Sequence, residues 1–250
     1  EKKNLEPGLP PLLPETKTVM DTLMAADLIK KALQLAVDQD NLCLQEQIAI
    51  TETPSSPFGE EIRGKDFVER FTKLGLLDVH MDEVGNVIGR RPGVGPEPRT
   101  KLIISAHLDT VFAKDTNFKV RQEGNRFYAP SIGDDSRGLA GLLQVIRMFQ
   151  ELNIQTLGDI IFVATVGEEG EGDLRGVKHL FRDPNVDVDA FMSLDWCDPS
   201  EAIVGATGSL RYRVSFDGPG GHSYLGFGQP SAIHALMRTG KVLCDLEVPK

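Results

Sequence analysis

Residues 101–109, KLIISAHLD, and residues 159–169, DIIFVATVGEE, are the two stretches that decide the fold. Each is a short run of apolar, often β-branched residues that ends in ionisable side chains. Such runs are typical of strands that are buried on both faces of a parallel or mixed sheet. Between them, residues 134–152 repeat apolar side chains at helical spacing. The alternation of strand, helix and strand predicts an α/β core in which helices flank a mixed, mostly parallel sheet.

Other segments extend this pattern along the chain. Residues 1–20 include a proline-rich stretch and are expected to form an extended tail. Apolar spacing predicts helices over about 21–38, 40–50 and 61–74, and short strands are expected within 76–90 and 189–195. Residues 21–206 are therefore interpreted as one α/β domain.

The pattern of apolar and polar residues changes at about residue 207. LRYRVSFDG (210–218) alternates polar and apolar residues, as a strand with one solvated face does, and a glycine-rich stretch and a helical SAIHALMRTGKVL (231–243) follow. Residues 207–250 are expected to begin a second, α+β domain.

The composition narrows the classes of partner. The chain has 37 acidic and 27 basic residues and a formal charge of -10, which disfavours binding to nucleic acid or to an anionic membrane surface. No apolar run approaches the ~20 residues that span a bilayer. Three cysteines without a CxxC pair favour a reducing compartment, so we expect a cytoplasmic protein, although a removed leader peptide stays open because the chain does not begin with Met.

Ionisable side chains collect where the predicted strands end. His107 and Asp109 end one strand, Glu168 and Glu169 another, and Asp195 a third, while Asp134 begins the intervening helix. Ligands of open α/β sheets bind beyond the carboxyl ends of the strands. Imidazole and carboxylate ligands without thiolates suit zinc first, with cobalt or manganese possible.

Local geometry gives these residues distinct possible roles. Residues two apart in a strand point to the same side, so His107 and Asp109 can face one pocket, with Asp109 as a ligand or as an acceptor that orients the imidazole. Asp134 could bridge two cations from a helix N-terminus. Of the adjacent Glu168 and Glu169, one can bind metal while the other acts as the general base.

Each feature alone also has a structural interpretation. A His-x-Asp pair is often a surface hydrogen bond, paired aspartates often cap a helix, and adjacent glutamates are usually solvated. A functional site is favoured because these features all fall at the strand ends of one predicted sheet.

Five motifs resemble the M20 family of metallopeptidases in identity, order and approximate separation. They are SAHLDTV, SIGDDSRGLAGLL, ATVGEEGEGDLRG, SLDW and GPGGHSY with QPSAIHAL. The resemblance covers about residues 60–250. It implies a zinc-peptidase α/β core with an inserted lid domain that often mediates dimerisation, and therefore a homodimer.

The resemblance also implies roles for single residues. His107 and Asp195 would bind one zinc ion, Glu169 the second, and Asp134 would bridge both. Glu168 would be the general base and Asp109 would orient His107. In the lid, His222 would reach the partner subunit's active site, to bind substrate or stabilise the tetrahedral intermediate.

The resemblance further implies a hydrolase acting on small peptides. Aspartate at position 195 is similar to the aminopeptidase and tripeptidase branch of the family. The alternatives are an N-acyl amino-acid deacylase, with the same metals and base, and a catalytically silent binding or dimerisation relative. The family's last zinc ligand is a histidine that follows the lid, so a chain that stops at Lys250 is expected to lack it and to be poorly active by itself.

Overall fold

The computed structural model describes residues 13–182, 187–195, 201–206 and 208–247. In those ranges the α-helices are α1 (Pro14–Ala25), α2 (Asp27–Asp38), α3 (Asp40–Thr51), α4 (Glu61–Lys73), α5 (Ser136–Glu151), α6 (Arg175–Leu180) and α7 (Ala232–Cys244), and Gly170–Gly172 form a short 3-10 helix. The strands are β1 (Leu77–Met81), β2 (Val87–Arg91), β3 (Lys101–His107), β4 (Arg121–Glu123), β5 (Arg126–Tyr128), β6 (Asp159–Thr165) and β7 (Ala190–Ser193).

The central sheet has five strands in the order β1-β2-β6-β3-β7. Strand β3 lies between β6 and β7 and is parallel to both. Strand β2 lies between β1 and β6 and is antiparallel to both. All strands of this sheet except β2 therefore point in one direction, which confirms the predicted mixed, mostly parallel sheet.

Helices cover the sheet on both faces. The larger core packs side chains of α3, α4 and α5, such as Phe67 and Leu142, against Phe162 and its neighbours on one face. A smaller cluster joins Ile103, Val163 and Leu180 of α6 on the other face. Buried apolar residues at successive strand positions require this double cover, so the predicted α/β class is confirmed.

The strand register brings four chain segments to one edge of the sheet. His107 pairs with Thr165, and Ser105 pairs with Ser193, so β3, β6 and β7 all end there. Because β2 is antiparallel, it begins at the same edge, where Val87 pairs with Ala164. This edge carries the predicted site residues of the first domain.

Three local expectations were wrong. Residues 14–20 are helical and not extended, because helix α1 begins at Pro14, in the first turn, where the missing proline N–H costs nothing. The rest of the expected tail, residues 1–12, lies outside the described part of the chain. The single helix expected over 21–38 is interrupted at Ala26, whose backbone is extended. LRYRVSFDG (210–218) forms no strand among the described residues, where it has no strand to pair with.

The β4–β5 hairpin was not predicted. Its strands are three residues each and are joined at Gly124, which has a φ of 58°. Strands this short carry too little periodicity to be recognised.

Residue contacts divide the chain into two compact units, Glu1–Pro199 and Ser200–Lys250. The first unit holds the sheet, and the second holds helix α7. None of the helices in the described part of the chain has the length and apolar character that crossing a bilayer requires. Cys43 and Cys244 are free thiols, and Cys197 lies outside the described residues.

Candidate metal centre

His107, the last residue of β3, is the centre of the site. Its ring is buried, with Nδ1 3.0 Å from the carbonyl oxygen of Asp109 and 3.5 Å from that residue's Oδ1. Its Nε2 lies 2.9 Å from Asp134 Oδ1 and 3.9 Å from Asp195 Oδ1. One ring nitrogen therefore contacts Asp109, and the other faces two carboxylates.

The start of α5 fixes Asp134 beside this ring. The neighbouring Asp135 is buried, and its carboxylate accepts the backbone N–H of Gly138 at 3.0 Å and that of His107 at 2.8 Å. Asp135 thus caps the helix and joins it to β3. Asp134 is left with an exposed carboxylate that contacts His107 Nε2.

Gly138 lets the first turn of α5 approach the residue before Asp195. A Cβ at position 138 would lie 1.9 Å from the carbonyl oxygen of Leu194 and 2.1 Å from Asp135 Oδ1. Any side chain there would push apart the segments that carry Asp134 and Asp195.

The loop after β6 carries the paired glutamates. The backbone N–H of Glu168 donates to Asp109 Oδ1 at 3.0 Å, and that of Glu169 donates to Oδ2 at 2.9 Å. Asp109 is fully buried, and both glutamate side chains are half-buried. Asp109 therefore ties the loop of the glutamates to the strand that ends in His107.

These residues form two groups that could each hold a metal ion. One contains His107, Glu168 and Glu169, and the other contains His107, Asp134 and Asp195, with the ligand atoms of each group within 4.8 Å of one another. Asp134 belongs to the second group only. All six predicted site residues of the first unit therefore lie in or next to one cluster.

Burial and charge act strongly on this cluster. Burial raises the pKa of the Glu168 carboxyl, and the neighbouring Asp195 charge adds to that effect while His107 opposes it. Burial also raises the pKa of Glu169 and of Asp195. Burial alone would lower the pKa of His107, but its contacts with Asp109 and Asp134 outweigh burial and raise that pKa to about 11.

The donor set fits a divalent cation. Carboxylates outnumber the single imidazole, so several negative charges lie close together. Burial raises the pKa values of Glu168, Glu169 and Asp195, and the charges of neighbouring carboxylates raise them further. A bound cation would relieve that crowding. Nitrogen and oxygen donors without sulfur suit zinc, cobalt or manganese.

The predicted lid histidine lies in the second unit. His222 is exposed, and its Nδ1 accepts the backbone N–H of Tyr224 at 3.2 Å and that of Leu225 at 3.4 Å. It therefore stabilises the glycine-rich turn in which it lies.

Two residues that build the centre were not assigned to it from the sequence. A helix cap was one interpretation of the paired aspartates, and Asp135 is the N-cap of α5, but no pattern showed that it also accepts the backbone N–H of His107. Arg63 on α4 is fully buried and donates to the carbonyl oxygens of Thr53 and Leu108, at 2.7 Å each. No sequence signal separates it from the solvated arginines of an amphipathic helix.

Comparison with known proteins agrees with this geometry. The profile of peptidase family M20/M25/M40 matches residues 103–239. Carboxypeptidase G2 of Pseudomonas sp. strain RS-16 is 25% identical over 220 residues, which are 83% of this chain and 52% of that protein. N-carbamoyl-L-amino acid amidohydrolase of Geobacillus stearothermophilus is 31% identical over 111 residues, 44% of this chain and 23% of that protein.

A solved peptidase structure is also similar to this chain. The crystal structure of aminopeptidase PepT from Bacillus cereus is similar with a TM-score of 0.52 and 27% identity, over 62% of this chain and 43% of that one. The chain spans about half the length or less of these relatives. The family match covers more than half of the chain and includes the ends of β3 and β6 and the start of α5. The chain therefore belongs to peptidase family M20/M25/M40.

Proposed function

We propose that this chain carries the metal site and general base of a hydrolase that cleaves peptide bonds in small peptides, in the manner of an aminopeptidase or tripeptidase. The observation that most supports this is the convergence of both ligand groups on His107, with Glu168 in one of them. Burial raises the pKa of Glu168. A higher pKa gives the carboxylate a greater affinity for protons, which a general base needs near neutral pH.

We assign His107 and Asp195 to one zinc ion, Glu169 to a second, and Asp134 to both, with Co²⁺ or Mn²⁺ as possible replacements. When bound, the two ions would lower the pKa of a shared water molecule and polarise the scissile carbonyl.

The chain's own residues handle the proton. The Glu168 carboxylate takes a proton from the attacking water and passes it to the nitrogen of the leaving amine. Asp109 holds the backbone of Glu168 and Glu169 and contacts the Nδ1 side of His107. Asp109 is therefore a positioning residue that fixes where the general base and the metal ligands lie relative to one another.

The remaining assignments concern the whole protein. Residues 21–206 would form the catalytic domain and 207–250 the beginning of a lid through which two subunits dimerise. His222 would reach the active site of the partner subunit, and a further histidine after the lid would complete the metal site. A cytoplasmic location remains our expectation.

A second candidate is hydrolysis of N-acyl or N-carbamoyl amino acids. It is favoured by the 31% identity to a protein named N-carbamoyl-L-amino acid amidohydrolase over residues that amount to 44% of this chain. The same ligands and base would serve this reaction, and only the pocket for the acyl group would differ.

The test is metal content and substrate preference, measured on the protein expressed from its complete gene. We expect about two zinc ions per chain and turnover of di- or tripeptides. Turnover confined to N-acyl amino acids would support the second candidate, and a metal-free, inactive protein would contradict both.

A further inference from the structure

Asn86 lies at the same sheet edge as the candidate metal centre, although it contributes no ligand. It directly precedes β2, and because β2 is antiparallel to β6, Val87 pairs with Ala164 near the end of β6. Asn86 is fully buried. The fold therefore places a buried amide next to the loop that carries Glu168 and Glu169.

The Asn86 side chain joins the two ends of that loop. Its Oδ1 accepts the backbone N–H of Val166 at 3.1 Å, and its Nδ2 donates to the carbonyl oxygen of Gly176 at 3.1 Å. A backbone hydrogen bond joins the same two ends of the loop, because the N–H of Gly176 donates to the carbonyl oxygen of Val166 at 3.0 Å. Residues 166–176 are thus a closed loop with Asn86 at its base.

Asp82 fixes the orientation of this amide. Its Oδ2 accepts Asn86 Nδ2 at 2.7 Å, and its Oδ1 accepts the backbone N–H groups of Val84, Gly85 and Asn86 at 3.0, 2.9 and 2.8 Å. Both hydrogens of the Asn86 amide and its oxygen therefore have partners. A side chain that is fully buried and fully paired has one favourable orientation.

Two glycines permit the close approach. A Cβ at position 176 would lie 2.3 Å from Asn86 Oδ1, and a Cβ at position 172 would lie 2.5 Å from the Cα of Gly167. The loop therefore packs closely on itself at Gly172 and against Asn86 at Gly176.

We propose that Asn86, oriented by Asp82, is a positioning residue that sets the location of Glu168 and Glu169. Asp109 holds the backbone of the two glutamates from the β3 side, and Asn86 holds the base of their loop from the β2 side. The inference rests on the proposed function, because the benefit of the clamp is the placement of a base and a metal ligand.

The test compares Asn86→Ala with Ile146→Ala in the protein expressed from its complete gene. Ile146 is fully buried in α5, so its truncation destabilises the core without removing a hydrogen bond of the loop. Three quantities are measured at a temperature where both variants are folded: kcat and KM, the affinity for Co²⁺ by absorption titration, and amide hydrogen exchange in residues 166–176.

We expect Asn86→Ala to lower kcat about 10- to 100-fold with a smaller change in KM, and to weaken Co²⁺ binding by a similar factor, as loss of residues behind metal ligands does. Exchange in residues 166–176 should accelerate. Ile146→Ala should leave kcat, Co²⁺ affinity and exchange in that loop near wild-type values.

Equal behaviour of the two variants in all three quantities would overturn the proposal. If Asn86→Ala does not fold, Asn86→Ser replaces it, because a serine keeps a polar group next to Asp82 but is too short to bond both Val166 and Gly176. If the wild-type protein hydrolyses no substrate, the proposed function fails, while Co²⁺ affinity and hydrogen exchange still decide whether Asn86 positions the loop.

Discussion

The carboxylate of Asp109 accepts the backbone N–H of Glu169 at 2.9 Å and so joins the segments that follow the neighbouring strands β3 and β6. Its other oxygen accepts the backbone N–H of Glu168 at 3.0 Å. A buried carboxylate is thus the link that sets two glutamates relative to His107. Burial raises the pKa of Asp109, but the contacts with His107 and with the two N–H groups outweigh it and hold that pKa below its usual value.

Asp109→Asn should therefore impair the site. The amide keeps one acceptor and turns an NH₂ donor toward the second N–H, so one hydrogen bond is lost and a donor faces a donor. We expect kcat to fall about 10- to 100-fold and metal affinity to weaken. Asp115→Asn, an exposed position in the following segment, is the control and should match the wild type. Wild-type metal affinity in Asp109→Asn would contradict the positioning role.

Arg63 on α4 stabilises the segment that directly follows β3. Its guanidinium is fully buried and donates to the carbonyl oxygens of Thr53 and Leu108, and burial lowers its pKa to about 10, so it stays charged at neutral pH. Arg63→Met leaves both carbonyls without this donor, at a cost of about 1–3 kcal/mol for each buried group.

Denaturant unfolding measures that cost. Arg70→Met on the same helix is the control, because its partly exposed ion pair with Asp66 should contribute less than about 1 kcal/mol. Similar losses in the two variants would show that the buried hydrogen bonds of Arg63 contribute little.

Much of this arrangement follows from the sequence, and some of it does not. The strands ending at His107 and Thr165 could be predicted because buried parallel strands are continuous apolar runs, and the ionisable residues directly after them mark the ligand-binding edge. The five-motif resemblance to the M20 family then gave specific expectations for single residues.

The supporting residues could not be predicted, because their roles depend on contacts between distant segments. Asn86 and Gly176 are 90 residues apart, and nothing near either residue indicates that they meet. The strand expected at LRYRVSFDG illustrates the opposite error, since alternation states a local preference and a strand also needs a neighbour to pair with.

Asp159 gives a pH-dependent prediction at the opposite end of β6. Burial raises its pKa, but the N–H of Gly93 and the guanidinium of Arg99, each 2.8 Å from Oδ1, outweigh burial and hold the pKa below its usual value. A lowered folded-state pKa means that this carboxylate stabilises the fold above the unfolded pKa of about 3.9 and loses its effect as the pH falls through the folded-state pKa.

Asp159→Asn should therefore be less stable than the wild type at pH 7, by about 1–3 kcal/mol, and the difference should shrink as the pH falls below about 4. Unfolding curves at several pH values measure this. Asp38→Asn, at an exposed helix end, should change little at any pH. A constant gap for Asp159→Asn would mean that its charge is not what stabilises the fold.

Metal binding should stabilise the protein through His107. This residue is the only member shared by the two described ligand groups. At a free metal concentration of 100 times Kd, binding contributes about 2.7 kcal/mol, which raises the Tm of a chain of this size by roughly 5–10 °C.

We expect His107→Gln to lose most of this shift on addition of Zn²⁺, and His80→Gln to retain it, because His80 is exposed and contacts only the Asp78 carbonyl oxygen in the contacts described. Chelation should reverse the shift in the wild type. An undiminished shift in His107→Gln would place the metal elsewhere.

The most direct test of the central claim is the hydrolysis rate and metal content of Glu168→Gln in the protein expressed from its complete gene. Glu69→Gln on the exposed face of α4 removes the same charge away from the site and serves as the control. The proposed mechanism predicts that Glu168→Gln keeps its bound metal and loses about 10²- to 10⁴-fold in kcat, the usual contribution of a general base. A Glu168→Gln variant that retains both metal and wild-type kcat would contradict it.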